Sequence, residues 1–236
     1  IVFNQDLLSF DKNIYKKLSF GAEKLRLFLI RHIQINAIRN AQETIFLSKF
    51  SKNMIAKYVK KKINYSIIYH GIDSSLVRSG KQKIKKFNWD FKKKRKIKLI
   101  YVSPLFSYKN HITVAKAYER LLKNYQNLEI KFVGKFNHNF ELYNKILKKF
   151  PSIKKKNFIG EVSHSKVVDL LKDSDIFIFA SSSETFGISL VEAMALAMPI
   201  ICSNKSSLPE ILKNGGLYFD PHDDITLSNQ IKNFIN

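Results

Sequence analysis

Two glutamates, Glu184 and Glu192, stand with seven residues between them in the stretch SSETFGISLVEAMA, residues 182–195. Carboxylates are scarce in this 236-residue chain, which has 41 Lys and Arg against 19 Asp and Glu. Between the two lies Phe186-Gly187, and the run after the glycine is apolar and small, with Ala193, Ala195 and Ala197 slim enough to pack tightly. A glycine there permits close backbone approach or a dihedral angle that other residues avoid. If a helix starts at Ile188, the N–H groups of its first turn, Ile188 to Leu190, face outward at the positive end of the dipole and suit a phosphate. Glu184 then precedes that end, and Glu192 lies about one turn inside, roughly 6 Å along at 1.5 Å per residue. Carboxylates accept hydrogen bonds from hydroxyls, and the vicinal diol of a sugar or ribose offers two together. A ligand with a central diphosphate would meet one carboxylate on each side. On spacing alone, a surface helix with solvated glutamates fits as well.

The elements around this stretch must hold it in place. From Ile97 onward short apolar runs alternate with helical patterns. IKLIYV (97–102) precedes a helix over about 112–124, and LEIKFV (128–133) precedes one near 141–149. NFIG (157–160) leads to a helix across 166–171 and then to the strand DIFIFA (175–180). A helix from Ile188 leads to PIIC (199–202), a short helix at 208–212, GLYF (216–219) and a last helix over 225–235. This alternation predicts an α/β fold with a parallel sheet covered on both faces, right-handed crossovers and ligands at the carboxyl ends of the strands. The first third reads differently. An opening loop, FNQDLLSFD, gives way to a basic helical stretch over about 15–40, the strand TIFL (44–47), a helix that Ser48 would cap, and the strand SIIY (66–69). Residues 74–96 lack clean periodicity and read as a linker. The expected organisation is a partial Rossmann-like domain over 1–73, that linker, and a complete Rossmann-like domain over 97–236. The chain begins with Ile1 rather than Met and reads as a fragment.

Composition narrows the function. Cys202 is the only cysteine, so no internal disulfide framework exists and a reducing compartment fits. No apolar run approaches the roughly 18–20 residues that span a bilayer. The net charge of +22 invites a nucleic-acid reading, but the basic residues are 35 lysines and six arginines. Readers of phosphates and base edges favour arginine, whose planar fork grips bidentately. A lysine-rich composition without such a role, or a basic face against an anionic membrane, accounts better for the charge.

Several segments in order resemble a known family. SSETFGISLVEAMALAMPII followed by SSLPEIL is similar to the Glu-x7-Glu signature of the family-four retaining glycosyltransferases, which have the GT-B fold. IFLSKF (45–50), IIYHGID (67–73), LIYVSPLFSYKNH (99–111), IKFVG (130–134) and NFIGEVSHSKVVDLLKDSDIFIFASS (157–182) agree with that family in order and spacing. The resemblance covers most of the chain from Thr44 to Asp220. It implies a two-domain enzyme that moves a sugar from a UDP- or GDP-linked donor to a glycan or lipid-linked acceptor. Configuration would be retained, with no metal or other cofactor. It implies a cytoplasmic protein, peripheral at the inner face of an anionic membrane, in polysaccharide biosynthesis.

By the same resemblance Glu184 contacts the hydroxyls of the transferred sugar and Glu192 the ribose diol. Lys109 neutralises the leaving diphosphate. The backbone of Phe186, Gly187 and Ile188 lines the sugar and phosphate pocket, Gly160 to Val162 meet the base, and Ser103 joins the donor site. One position departs from the pattern: where the family carries an arginine five residues before the lysine, this chain has Pro104. Where the family's N-terminal domain supplies a histidine, only Asn4 and Gln5 are at hand.

Other constellations point elsewhere. Asp173-Ser174-Asp175 has the form of a metal-binding Asp-x-Asp, but its place before a buried strand fits helix termination. The histidines at 32, 70, 111, 138, 164 and 222 show no ligand spacing, and His70 is a candidate for a cleft-lining role. Glu210 reads as a capping residue. A sugar-nucleotide epimerase of the same architecture and a non-catalytic basic protein binding membrane or nucleic acid both remain open.

Overall fold

The structure, a computed structural model, describes residues 1–17, 21–86, 96–136 and 139–236. It is α/β with two parallel sheets, the fold class expected, and the chain forms two compact units. One contains residues 1–71, 183–187 and 206–211, and the other contains 72–182, 188–205 and 212–236.

In the larger unit the strands are β4 (Ile97–Val102), β5 (Leu128–Val133), β6 (Phe158–Gly160), β7 (Ile176–Phe179), β8 (Ile200–Ser203) and β9 (Leu217–Phe219). They pair in parallel in the order β6-β5-β4-β7-β8-β9, so the winding starts at β4, runs one way, and restarts at β7 on its other side. The apolar runs form strands because both faces are covered. Leu99, Ile100, Ile130, Phe132 and every residue of β7 and β8 are buried. Its helices are α4 (Ser74–Lys86), α5 (His111–Leu122), α6 (Phe140–Lys149), α7 (His164–Lys172), α8 (Ile188–Ala195) and α10 (Asp224–Ile235); the short α9 (Leu208–Leu212), which precedes β9 in sequence, falls in the smaller unit except for its last residue. From Ile97 on, each predicted strand and helix is present, with ends within about two residues.

The smaller unit is built on β1 (Val2–Asn4), β2 (Thr44–Phe46) and β3 (Tyr65–Ile67), paired in parallel in that order. Its helices are α1 (Lys12–Lys17), α2 (Ala22–Asn40) and α3 (Lys49–Val59). Leu7, Phe10, Ile38, Phe46, Ile55 and Val59 form its core. Ser48 caps α3 as expected, its hydroxyl accepting from Ser51 N at 3.1 Å. Such a cap contributes about 1 kcal/mol.

Two expectations are corrected. The opening segment is not all loop: Val2–Asn4 is a strand, too short for alternation to show, and its pairing with Thr44–Phe46 lies about 40 residues away. The start of the supposed linker is helix α4. Among its described side chains Leu76 and Gly80 are buried, and Gly80 packs so closely that a Cβ there would sit 2.1 Å from the Ala195 carbonyl oxygen. Leu76, Val77 and Ile84 are the only large apolar residues of this helix, a stripe too thin to stand out among its basic residues. The rest of that segment up to Arg95, and positions 18–20 of the long basic stretch, lie outside the described residues.

Candidate functional site

In a doubly wound sheet the crevice opens at the carboxyl ends of the strands where the winding reverses. Here that is β4 beside β7. The loop leaving β4 and the start of the loop leaving β7 are tied together. The Asn110 side-chain amide donates to the carbonyls of Ala180 (2.8 Å) and Tyr108 (3.0 Å) and to Ser182 Oγ (2.7 Å). Ser182 N donates in turn to the Tyr108 carbonyl at 2.8 Å. Asn110 holds φ of 52°, a left-handed conformation that asparagine tolerates better than most residues.

This brace fixes Lys109, which immediately precedes Asn110. Lys109 is 8% exposed and is the one buried lysine among the described residues. Its ammonium lies 5.3 Å from the ring centre of Tyr108 and 5.8 Å from that of Phe179, the last residue of β7. Both are within cation–π range. The Tyr101 hydroxyl donates to the Lys109 carbonyl at 2.6 Å. His111 is fully buried and stacks on Tyr101 with ring centres 4.6 Å apart. Burial, followed by the charge of Lys109, pushes the His111 pKa down to about 3, so this imidazole is neutral at physiological pH.

Helix α8 leaves the same reversal point. Gly187, just before it, has φ of 95°, which a side chain would strain. The α8 residue Ile188 is exposed, whereas Glu192 is 5% exposed. The partner of Glu192 was missed in the sequence: His164 Nε2 lies 2.6 Å from Glu192 Oε1. Ser163, whose hydroxyl accepts from Lys166 N at 3.4 Å, caps α7 directly before His164. The two partners are 28 residues apart, so no local spacing links them. The available signal was a histidine opening the helix after the strand that ends in Gly160.

Gly160 ends β6 with φ of 77°, and its carbonyl accepts from Gly134 N at 2.9 Å. Val162 is half-buried. Ser103 N donates to the Val133 carbonyl at 2.8 Å, and its hydroxyl reaches the Pro104 carbonyl at 3.1 Å. The Pro104 carbonyl also closes a tight turn with Phe106 N at 3.0 Å. Ser103, Lys109, Gly160, Val162, Ile188 and Glu192 thus belong to one unit, on segments that follow the carboxyl ends of its strands.

Glu184, Phe186 and Gly187 belong to the other unit. The Glu184 backbone is held on both sides, its N–H donating to Ser206 Oγ (3.1 Å) and its carbonyl accepting from Ser207 Oγ (3.0 Å). The next residue is fixed as well. The Thr185 carbonyl accepts from Ser48 Oγ at 2.8 Å, and its hydroxyl donates to the Gln5 carbonyl at 2.9 Å. The Phe186 ring is buried against His70 and Tyr69, with centres 5.2 and 5.9 Å apart. Asn4 is buried and its amide donates to Gln34 Oε1 at 3.2 Å. Glu210 caps α3, accepting from Lys49 N (2.8 Å) and Phe50 N (2.9 Å), and takes the Tyr69 hydroxyl at 2.8 Å.

The Asp173 carboxylate pairs with Lys98 Nζ at 2.7 Å and Lys131 Nζ at 3.3 Å, at the C-cap of α7. Among the described residues no three His, Cys, Asp or Glu are grouped to hold a metal, and no helix is long and apolar enough to cross a membrane. His138 lies outside the described residues.

Comparison with known proteins agrees on one family. The family model described as glycosyl transferases group 1 matches residues 82–236. An uncharacterized glycosyltransferase of Methanocaldococcus jannaschii is 29% identical over 198 residues, 81% of this chain and 48% of that protein. O-antigen chain mannosyltransferase B of Escherichia coli is 35% identical over 74 residues, 31% of this chain and 19% of that protein. Among solved structures, Anabaena HepE in complex with UDP and glucose superposes with a TM-score of 0.74 at 17% identity, covering all of this chain and 61% of that one. The chain therefore spans about half or less of these curated relatives, and the structural likeness speaks to the fold.

Proposed function

This chain belongs to the group 1 glycosyl transferases, and from that membership we propose that it moves a sugar from a nucleoside diphosphate sugar to a glycan or lipid-linked acceptor. The reading assigns retention of configuration and no metal. It is supported by the family-four resemblance, by the UDP and glucose bound in HepE, and by the mannosyltransferase among the relatives. UDP- and GDP-linked donors are the first to test.

One observation carries the reading. In a chain of net charge +22, the single described lysine that is buried stands beside the sheet's reversal point, where a doubly wound fold takes its ligand. A leaving diphosphate placed at that reversal point gains negative charge as the glycosidic bond breaks. A fixed cation away from bulk water then stabilises the transition state more than the ground state. The first-turn N–H groups of α8 add partial positive charge without a proton to manage. Glu184 accepts hydrogen bonds from the hydroxyls of the transferred sugar, Glu192 those of the ribose, and the Gly160–Val162 loop meets the base. The backbone of Phe186, Gly187 and Ile188 lines the sugar and phosphate, with Ser103 at the margin of the donor. The tight turn at Pro104 takes the place of a second cation, so the leaving phosphate relies on Lys109 and the helix end. The basic surface suits peripheral contact with an anionic membrane on the cytoplasmic side.

The test uses the whole enzyme. Glu184→Ala should lower transfer roughly 10²-fold or more while nucleotide affinity changes little. Full turnover in Glu184→Ala contradicts the assignment. The anomeric configuration of the product, read by NMR, decides retention.

A further inference from the structure

Glu192 is a buried carboxylate whose one hydrogen-bond partner among the described residues is an exposed histidine. His164 has 69% of its side chain exposed and Glu192 only 6%. A surface imidazole gains little by being held in one rotamer, whereas a buried carboxylate needs a donor. The contact is short, 2.6 Å, and both residues belong to the same compact unit. His164 is anchored at the first position of α7, directly after its cap Ser163. Asp73, in that unit too, lies close enough to His164 for their charges to interact.

A carboxylate has about four lone-pair sites on two oxygens. His164 takes one on Oε1, so the others stay available to a diol. The bond also fixes the plane of the carboxylate, which sets where a pair of hydroxyls must sit to be accepted together. We propose that His164 is a positioning residue for nucleotide recognition: by holding Oε1 of Glu192 it orients that carboxylate to read the two ribose hydroxyls. This rests on the donor-site reading above, in which Glu192 takes the ribose. The loop and helix start that follow β6 then serve the nucleoside twice, Gly160 to Val162 at the base and His164 through Glu192 at the sugar. His164 itself touches neither reacting atom.

The test compares ribonucleotides with their 2′-deoxy forms by calorimetry, using UDP and 2′-deoxy-UDP, with the GDP and ADP pairs in parallel. Wild-type protein should prefer the ribonucleotide by roughly tenfold or more, as expected for a hydroxyl bonded to a charged acceptor. His164→Ala should bring that ratio to within about threefold of unity. His164→Gln, which keeps an amide N–H at similar reach, should recover most of it. A ratio in His164→Ala equal to that of wild type overturns the inference, as does a ratio in His164→Gln as low as in the alanine variant. The ratio is insensitive to a general loss of affinity, so a merely structural role would leave it unchanged. Wild-type protein that binds none of these nucleotides refutes the donor-site reading itself. Binding without discrimination refutes the ribose role of Glu192. Both outcomes are separable from a failure at His164.

Discussion

His111 stays neutral at pH 6.5, where an exposed histidine would be half in its charged form. It is completely buried, stacked on Tyr101, and two positions from Lys109, and its pKa falls from 6.5 to about 3. The unfolded chain therefore binds a proton below pH 6.5 that the folded chain refuses until about pH 3. Stability from this residue is complete above pH 6.5 and is lost as pH falls toward 3, at up to about 1.4 kcal/mol per pH unit. Between pH 7 and pH 5 the expected loss is about 2 kcal/mol. His111→Phe should flatten the slope of urea-unfolding stability over that interval, whatever it does to absolute stability. An unchanged slope would place the proton elsewhere. At this scale the sequence was partly legible. Glu184 and Glu192 stood out through residue type and spacing and Lys109 only through the family resemblance, whereas the burial of Lys109 and the bond from His164 depend on chain segments brought together across the sheet.

Elements were more legible than contacts. From Ile97 onward the strands are unbroken apolar runs and the helices are amphipathic, because a parallel sheet buries both faces and its covering helices bury one. β1 escaped because three residues carry no period. α4 escaped because its apolar stripe is thin, Leu76, Val77 and Ile84 in 13 residues, and its contact with α8 includes Gly80. That contact yields a sign reversal. In an ordinary helix Gly→Ala stabilises by about 1 kcal/mol. At Gly80 the new methyl would meet the carbonyl oxygen of Ala195 at 2.1 Å, and backbone cannot yield as a flexible side chain can. Gly80→Ala should therefore destabilise by about 1–3 kcal/mol, read as a lower urea midpoint with unchanged m-value. A raised midpoint would show that α4 does not pack as described. The same helix end precedes Leu196 and the left-handed Ala197, so a shift there would be transmitted to the helix that carries Glu192.

At the scale of the whole molecule, charge was the most visible property of the sequence and the least informative. Thirty-five lysines gave a net charge open to membrane, nucleic-acid or purely compositional readings. The order of the sheet narrows them by showing which lysine is withdrawn from solvent and where. Membership of the group 1 glycosyl transferases then supplies the chemical context for that lysine. The most direct measurement is the thermal shift of this chain with UDP, GDP, ADP and their sugar conjugates, repeated with Lys109→Ala and Glu192→Gln. One nucleotide series should stabilise the wild-type chain by about 2.7 kcal/mol at roughly 100 times its Kd, seen as a rise of several degrees in Tm, and both variants should diminish that rise. No shift with any of the three series, or a shift indifferent to both substitutions, would contradict the donor site.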